Sequence, residues 1–491
     1  MSYNGITQGW GSCYRGPTPR TPTFKNNITS GFTLRVISRR DDNPCLPARA
    51  LATAGQPDQL NMKLLNKFFK EADKKAAISW AFYDFANSSY ALLILSFVFP
   101  IYFKEVVAGA ERGDFYWGLL ISVSILIGGL LAPIIGAIAD YDTRKKIKFI
   151  IFALVSIIGT TFLFFTGSNK LLFTSLVFLI SNAAFELAQT LYDSFLARVS
   201  TKETVGRISG LAWGLGYIGG VVAMLAFKPL YENGYAGDFE FGYKLVFPLT
   251  ALFFLLFSIP SFIFIKEKSE SRNKESFSTL VKHGIKSVVG TIKNLKQHKN
   301  IAWFLLGFYF INDALVTIFA FTPIYARTTF GMEFKEILTL LLIIQIIAFP
   351  AATIFGLLSD KKGSKKILLF TIAVWTIIVA LLSVATTKTM FYILALLTAL
   401  VIGSSQAIAR SWLSKLVPDE KRFEFFGFNG FASKIAATTG PVLFGAVSVI
   451  TGNQRFAMAA LIPFFVIAFI IFLKIEGERA EPFKKGSSGV Q

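Results

Sequence analysis

The 491-residue chain is 53% hydrophobic and 16% charged, with a mean hydropathy of +0.55, where soluble domains carry about a quarter charged residues. This excludes a string of water-soluble domains. The net charge of +20 does not point to nucleic acid either, because its cations sit in short loops, as cytoplasmic enrichment of Lys and Arg between membrane spans requires. Cys13 and Cys45 are the only cysteines and His283 and His298 the only histidines, so no disulfide framework, zinc site or histidine proton relay can be built. No metal and no cofactor is expected, and any proton coupling must use carboxylates.

Residues 1–61 are polar and rich in Pro, Gly, Thr and Arg. They read as a disordered extension or as translation upstream of a start at Met62, with a targeting segment as the alternative; the absence of a long apolar core rules out a secretory signal. Twelve apolar segments follow, near 78–103, 115–139, 147–166, 171–197, 208–228, 243–265, 301–324, 334–358, 367–386, 389–412, 425–450 and 454–474. Each matches the ~20 residues that a helix needs to cross a ~30 Å hydrocarbon core. Continuous apolar runs, without alternation, exclude a β-barrel. Lys and Arg concentrate in alternate loops, at Lys63, Lys67, Lys70, Lys74 and Lys75, at Arg144, Lys145, Lys146 and Lys148, and at Lys361, Lys362, Lys365 and Lys366. Both termini are therefore expected in the cytoplasm.

The expected division is a six-helix half over 62–265, a linker over 266–300, a second six-helix half over 301–475 and a cytoplasmic tail over 476–491. In the linker, Val281, Ile285, Val288, Val289, Ile292 and Leu295 oppose Lys282, Lys286, Lys293 and Lys296. That is the pattern of an amphipathic helix lying on the headgroup surface as a strap between the halves.

One short signature occurs twice, 220 residues apart: Gly136-Ala-Ile-Ala-Asp140-Tyr-Asp-Thr-Arg144-Lys145-Lys146 and Gly356-Leu-Leu-Ser-Asp360-Lys-Lys-Gly-Ser-Lys365-Lys366. Each copy follows the second span of its half, as in a membrane unit used twice. Duplicated bundles place a binding site at the midplane between halves that rock against each other. Asp140, Arg144, Asp360 and Lys365 are candidate gating residues that latch the halves in one state; a solvated, orienting loop is the plainer reading.

Ionisable groups inside spans are costly and face a cavity or a partner. In the fourth span Asn182, Glu186, Gln189 and Asp193 form one polar stripe, either lining a cavity, with Glu186 as a proton or ammonium site, or forming a structural cluster. The first span offers Tyr83, Asp84 and Asn87, the seventh Asn312 and Asp313, the tenth Gln406 and Arg410. Lys434 of the eleventh lies near mid-span and is expected to pair with a carboxylate. Gly210, Gly214, Gly216, Gly219 and Gly220 in the fifth span suit close packing, and Gly440-Pro441 interrupts the eleventh.

The duplicated loop resembles the signature of the major facilitator superfamily, although the first copy has Tyr141-Asp142 where the second keeps Gly363. Further stretches resemble the vacuole-effluxer (autophagy-related amino-acid effluxer) branch and its bacterial relatives. They are Trp80-Ala-Phe-Tyr-Asp84-Phe-Ala-Asn87-Ser-Ser-Tyr90, Gly206-Arg-Ile-Ser209-Gly, Gly214-Leu-Gly-Tyr217-Ile-Gly-Gly220, Asn312-Asp313, Gly403-Ser-Ser-Gln406-Ala-Ile-Ala-Arg410-Ser, Glu424-Phe-Phe-Gly427 and Gly440-Pro441. The resemblance covers about residues 76–475 and implies an all-α membrane protein of twelve transmembrane helices in two pseudo-symmetric six-helix halves.

The leading expectation is a secondary active transporter of a small polar solute working by alternating access, proton-coupled through membrane carboxylates. Efflux of amino acids is what the resemblance adds. It is expected to act as a monomer in a lipid bilayer, in a bacterial inner membrane or, alternatively, a vacuolar or organellar one. A lipid or amphiphile transporter on the same fold and a transport-inactive sensor or scaffold are the competing readings. No phosphate loop, nucleophile motif or metal spacing points to an enzyme.

Overall fold

The chain divides into two units, Met1–Leu60 and Asn61–Gln491. The computed structural model describes residues 73–141, 145–200, 204–266, 290, 298–417 and 422–476. The N-terminal extension, nearly all of the 266–300 linker with its expected surface helix, and nearly all of the 476–491 tail thus lie outside the described residues.

Twelve spans follow in chain order. The N-terminal half comprises α1 (Lys74–Val107), α2 (Gly113–Tyr141), α3 (Lys145–Phe162), α4 (Leu171–Val199), α5 (Val205–Tyr231) and α6 (Phe239–Phe264). The C-terminal half comprises α7 (Lys299–Phe330), α8 (Phe334–Lys362), α9 (Ser364–Val384), α10 (Lys388–Leu416), α11 and α12 (Gln454–Leu473). Span α11 is two pieces, α11a (Arg422–Ala436) and α11b (Thr439–Thr451). Eleven described helices are long and apolar enough to cross a membrane, and α8, at 29 residues, completes the set.

Local chemistry explains the ends and the irregularities. Asp73 caps α1 by accepting from the amides of Lys75 (3.1 Å) and Ala76 (3.2 Å). The Ala76 amide, and after it Lys266, hold the Asp73 carboxyl below its ordinary range. Within α1, Pro100 cannot donate to the preceding turn, and the backbone turns at Phe97 (φ −124°, ψ −73°) between π-helical segments Ala91–Ser96 and Phe103–Val107. Gly331, in the left-handed region at φ 61°, ends α7.

The two halves pack alike. In the first, α1 lies against α5 and α6, α2 against α4, and α3 against α4 and α6. In the second, α7 lies against α11 and α12, α8 against α10, and α9 against α10 and α12. Equivalent hydrogen bonds recur: Tyr102 of α1 donates to the Thr166 carbonyl beyond α3 (3.3 Å), and Tyr325 of α7 to the Leu382 carbonyl of α9 (2.7 Å). Between the halves, α2 meets α11 and α8 meets α5, a reciprocal arrangement that a pseudo-two-fold relation produces.

Adjacent rather than equivalent lysines of the repeated signature play a like part in each half. Lys146 donates to the Ile263 carbonyl at the end of α6 (3.0 Å), and Lys365 to the Leu473 and Ile475 carbonyls at the end of α12 (3.1 and 2.6 Å). A cation at the C-terminal carbonyls of a helix satisfies orphan acceptors and opposes the dipole. Replacing Lys365 by Ala is expected to lower stability by about 1 kcal/mol, read as a fall in the thermal unfolding temperature of the purified protein, with Lys365→Arg retaining most of it.

Candidate functional site

Because the number of spans is even, the start of α1 and the end of α12 lie at one end of the bundle, here the near end. Midway along α4 and on α11a, Glu186 and Lys434 form an ion pair across the two halves, each side chain 17% exposed. The Lys434 ammonium also donates to the Glu186 carbonyl (2.9 Å). Close approach of three helices makes this possible. A Cβ on Gly128 of α2 would lie 2.6 Å from the Glu186 Cβ, and one on Gly129 would lie 3.1 Å from the Lys434 Cβ. Lys434 thus finds its carboxylate, and that carboxylate is Glu186.

The rest of the α4 stripe splits in two. Toward the near end, Asn87 of α1 donates to Asp84 (3.3 Å) and to Gln189 (3.0 Å), and Gln189 donates to Asp193 (3.4 Å). Asp84 and Gln189 are half-buried and Asp193 is exposed, so this polar track runs from the Glu186 region to an exposed carboxylate. On the far side of Glu186, Asn182 is fully buried, donates to Ser124 of α2 (2.7 Å) and accepts from Tyr90 (3.5 Å). Asn182 therefore belongs to a structural cluster of the N-terminal half rather than to a cavity wall. Tyr83 is a second correction to the expected pathway face. It is fully buried among Phe149, Tyr192, Phe254 and Phe262, where aromatic packing, not solute, surrounds it.

In the C-terminal half, Asn312 is half-buried and donates to the Ser433 carbonyl of α11a (2.9 Å). Asp313, expected to face the cavity, is instead fully buried at the break in α11. Its Oδ1 accepts from the Gly440 amide at the start of α11b (2.8 Å), and its Oδ2 has no hydrogen-bond partner. Gln406 is half-buried on α10. The side chains of Arg410, Asp140 and Asp360, and all of Arg144, lie outside the described residues. Lys365 serves the end of α12 in its own half.

The densest cross-half contacts lie at the far end and centre on groups that the sequence reading passed over. Lys104 and Asp114 form an ion pair (2.7 Å) with side chains only 3% and 5% exposed. Lys104 also donates to Thr328 of α7 (3.0 Å), and Asp114 accepts from Ser448 of α11b (2.6 Å) and Gln454 of α12 (2.7 Å). Trp117 donates to the Ala320 carbonyl (3.2 Å), and Glu105 holds both Arg327 (3.4 Å) and the Tyr235 hydroxyl. Charge count does not single these residues out, because Lys104 is one of the few cations between spans on the sparsely charged side. The usable signal was an acid at the first turn of α2 ten residues from a lysine ending α1.

The seam itself depends on small residues. A Cβ on Gly118 of α2 would lie 2.1 Å from the Pro441 carbonyl oxygen, and one on Gly445 would lie 2.5 Å from the Asp114 carbonyl oxygen. Backbone cannot give way as a flexible side chain can, so Gly118→Ala is expected to pry α2 from α11b. The protein should then populate a far-end-open state, seen as faster labelling, by a membrane-impermeant thiol reagent, of a cysteine introduced at the far end. Unchanged labelling would mean that the helices part without penalty.

A chain of twelve spans in two matching halves, with a charged midplane contact and one sealed end, is a transporter of the major facilitator type. Comparison with known proteins agrees. The Vacuole effluxer Atg22 like family profile matches residues 198–484 and the Major Facilitator Superfamily profile residues 15–224. The chain is 30% identical to the uncharacterized MFS-type transporter YxiO of Bacillus subtilis over 423 residues, 84% of this chain and 97% of that one. It is 23% identical to autophagy-related protein 22 of Kluyveromyces lactis, covering 73% of this chain and 79% of that one. The chain belongs to the vacuole effluxer Atg22-like family of major facilitator transporters. Its fold is similar to that of a bacterial homologue of the human lysosomal transporter Spinster, in an inward-facing and occupied conformation (TM-score 0.61, 14% identity, 87% and 100% of the two chains). It is also similar to that of the nucleoside transporter NupG (TM-score 0.59, 14% identity, 82% and 98%). Family and fold place the protein among multi-pass membrane transporters rather than enzymes.

Proposed function

We propose that the protein moves a small polar solute, amino acids among its substrates, by alternating access coupled to protons through membrane carboxylates. The observation that carries this reading is the Glu186–Lys434 pair, a charged contact between the two halves near mid-span. Charges at depth persist only when paired, so opening the halves requires a replacement partner for each. A solute with an ammonium and a carboxylate supplies both, the ammonium to Glu186 and the carboxylate to Lys434. The track from Asp193 through Gln189 and Asn87 to Asp84 provides exchangeable hydrogen bonds along the approach from the near end. Efflux is supported by the family description, a vacuole effluxer.

The loop cations support a cytoplasmic near end, and with it the described state, sealed at the far end, corresponds to an inward-facing one. The Bacillus subtilis relative favours a bacterial cytoplasmic membrane over a vacuolar one. The deciding experiment reconstitutes the full chain in vesicles and screens amino acids, nucleosides and lipid-like amphiphiles with and without a pH gradient. Gradient-driven movement of amino acids is the expected result. Movement of amphiphiles alone, or of nothing, would reject it.

A further inference from the structure

We infer that Asp313 is the proton-binding carboxyl of the cycle, and that its protonation state sets the break in α11 and thereby the far-end seal. This rests on the reading of the protein as a coupled transporter but not on the identity of the solute. Glu186 already has a cation in Lys434 and Asp114 one in Lys104. Asp313 differs: it is fully buried, only backbone amides of the α11b start (Gly440, with Thr439 close by) meet its carboxyl, and Oδ2 has no hydrogen-bond partner.

Among the described residues, several charged and titratable groups on the elements packed around it have partners elsewhere. Tyr309, on the same helix, is bonded to Thr439, and Arg327 is paired with Glu105. On α11a Lys434 holds Glu186; on α1 Lys104 holds Asp114 and Thr328, and Tyr102 holds Thr166. Lys388 of α10 is paired with Glu336 of α8, Lys415 of α10 donates to Ser364, and Arg455 of α12 donates to the Ala385 carbonyl. The side chain of Arg410 lies outside the described residues.

Position gives this carboxyl its leverage. Its Oδ1 meets the amide that starts α11b, and a Cβ on Gly440 would lie 2.2 Å from the Thr317 hydroxyl and 2.9 Å from that Oδ1. No slack separates Asp313 from the break. One residue on, Pro441 presents its carbonyl to Gly118, and further along α11b Gly445 and Ser448 meet Asp114. The helix that Asp313 anchors is therefore the one that closes the far end.

The step is a simple protonation. A proton from water adds to Oδ2, turning the carboxylate into a neutral acid, and no other bond is made or broken. In the sealed state a charge at this depth with no cation beside it is strongly unfavourable, and backbone amides alone offset only part of that. The sealed state therefore holds the neutral acid, and loss of the proton requires α11b to move and water to enter. Proton binding favours sealing at the far end; deprotonation favours opening there.

The test needs no solute. Spin labels at Asp238→Cys and Thr386→Cys, both exposed far-end positions on opposite halves, are placed in a background with Cys13 and Cys45 changed to Ser, and their separation is measured across pH by pulsed electron resonance. In the otherwise unaltered chain the ratio of sealed to open should rise as pH falls, by up to ~10-fold per unit for one linked proton. Asp313→Asn, neutral and able to accept from Gly440, should stay sealed at every pH, and Glu336→Gln, at the exposed pair with Lys388, should keep the response. Infrared difference spectra of the unaltered protein give a second measurement, independent of whether Asp313→Asn folds. A buried carboxylic-acid band should grow on acidification and survive in Glu186→Gln. A pH response retained in Asp313→Asn, no response in the unaltered chain, or loss of the band in Glu186→Gln would overturn the assignment. A failed solute screen would leave it standing, and its own failure would leave the solute reading intact.

Discussion

Glu186→Gln is expected to abolish gradient-driven transport while the protein still folds and reaches the membrane. The amide keeps the shape of the side chain and leaves the Lys434 ammonium with the Glu186 carbonyl as a remaining acceptor. What it removes is the only counter-charge to that ammonium among the described residues. Removing one partner of a buried pair costs about 3–5 kcal/mol. With both side chains 17% exposed, some water reaches them, so the low end of that range applies. About 3 kcal/mol corresponds to a factor of ~100 in the equilibrium between states. Lys434→Gln should fail in the same way. The double change Glu186→Gln with Lys434→Gln should recover thermal stability without recovering transport, because no charge is then buried alone and no charged site remains for the solute. Measured uptake in Glu186→Gln at the unaltered rate would remove the pair from the mechanism.

The second large effect is expected at the far end. Asp114→Asn leaves Lys104, 3% exposed, beside a neutral amide that must also serve Ser448 and Gln454. A loss of about 3–5 kcal/mol falls on the sealed state, so the far-end-open population should rise by at least ~100-fold. The labelled pair at Asp238→Cys and Thr386→Cys reports this as a shift to longer distance at constant pH. Lys388, paired with Glu336 at side-chain exposures of 43% and 32%, supplies the contrast. Surface pairs contribute about 0–1 kcal/mol, so Lys388→Ala should leave the distribution nearly unchanged. An equal response from both variants would mean that general destabilisation, not release of the seal, is being read.

The two predictions concern residues that the sequence treated very differently. Glu186 and Lys434 stood out because each is an ionisable group in the middle of a long apolar run, and burial in hydrocarbon leaves such a group few options beyond pairing. Their partnership did not stand out: 248 residues separate them, and nothing in either span specifies the other. Asp114 and Lys104 carried no such flag. They lie at the ends of their spans, where a charge is ordinarily solvated, and only the approach of α7, α11b and α12 buries them.

Sequence by itself determined the spans, the duplication and the family, because the hydrocarbon core imposes a length and polarity on every crossing segment, and a repeated loop signature survives as a local string. It also singled out Gly440-Pro441, which lies in the first turn of α11b just after the break at 437–438, since a proline denies its amide to the turn before it. Which way each polar side chain points was decided only by packing. Tyr83 and Asp84 are neighbours in the chain, yet one enters the aromatic core and the other joins the track with Asn87 and Gln189. Asn182 and Glu186 share one helical face, but Ser124 and Tyr90 enclose the first while the second reaches Lys434. Helical periodicity fixes a direction around one helix; the neighbour met in that direction, and whether water comes with it, is a property of the assembled bundle.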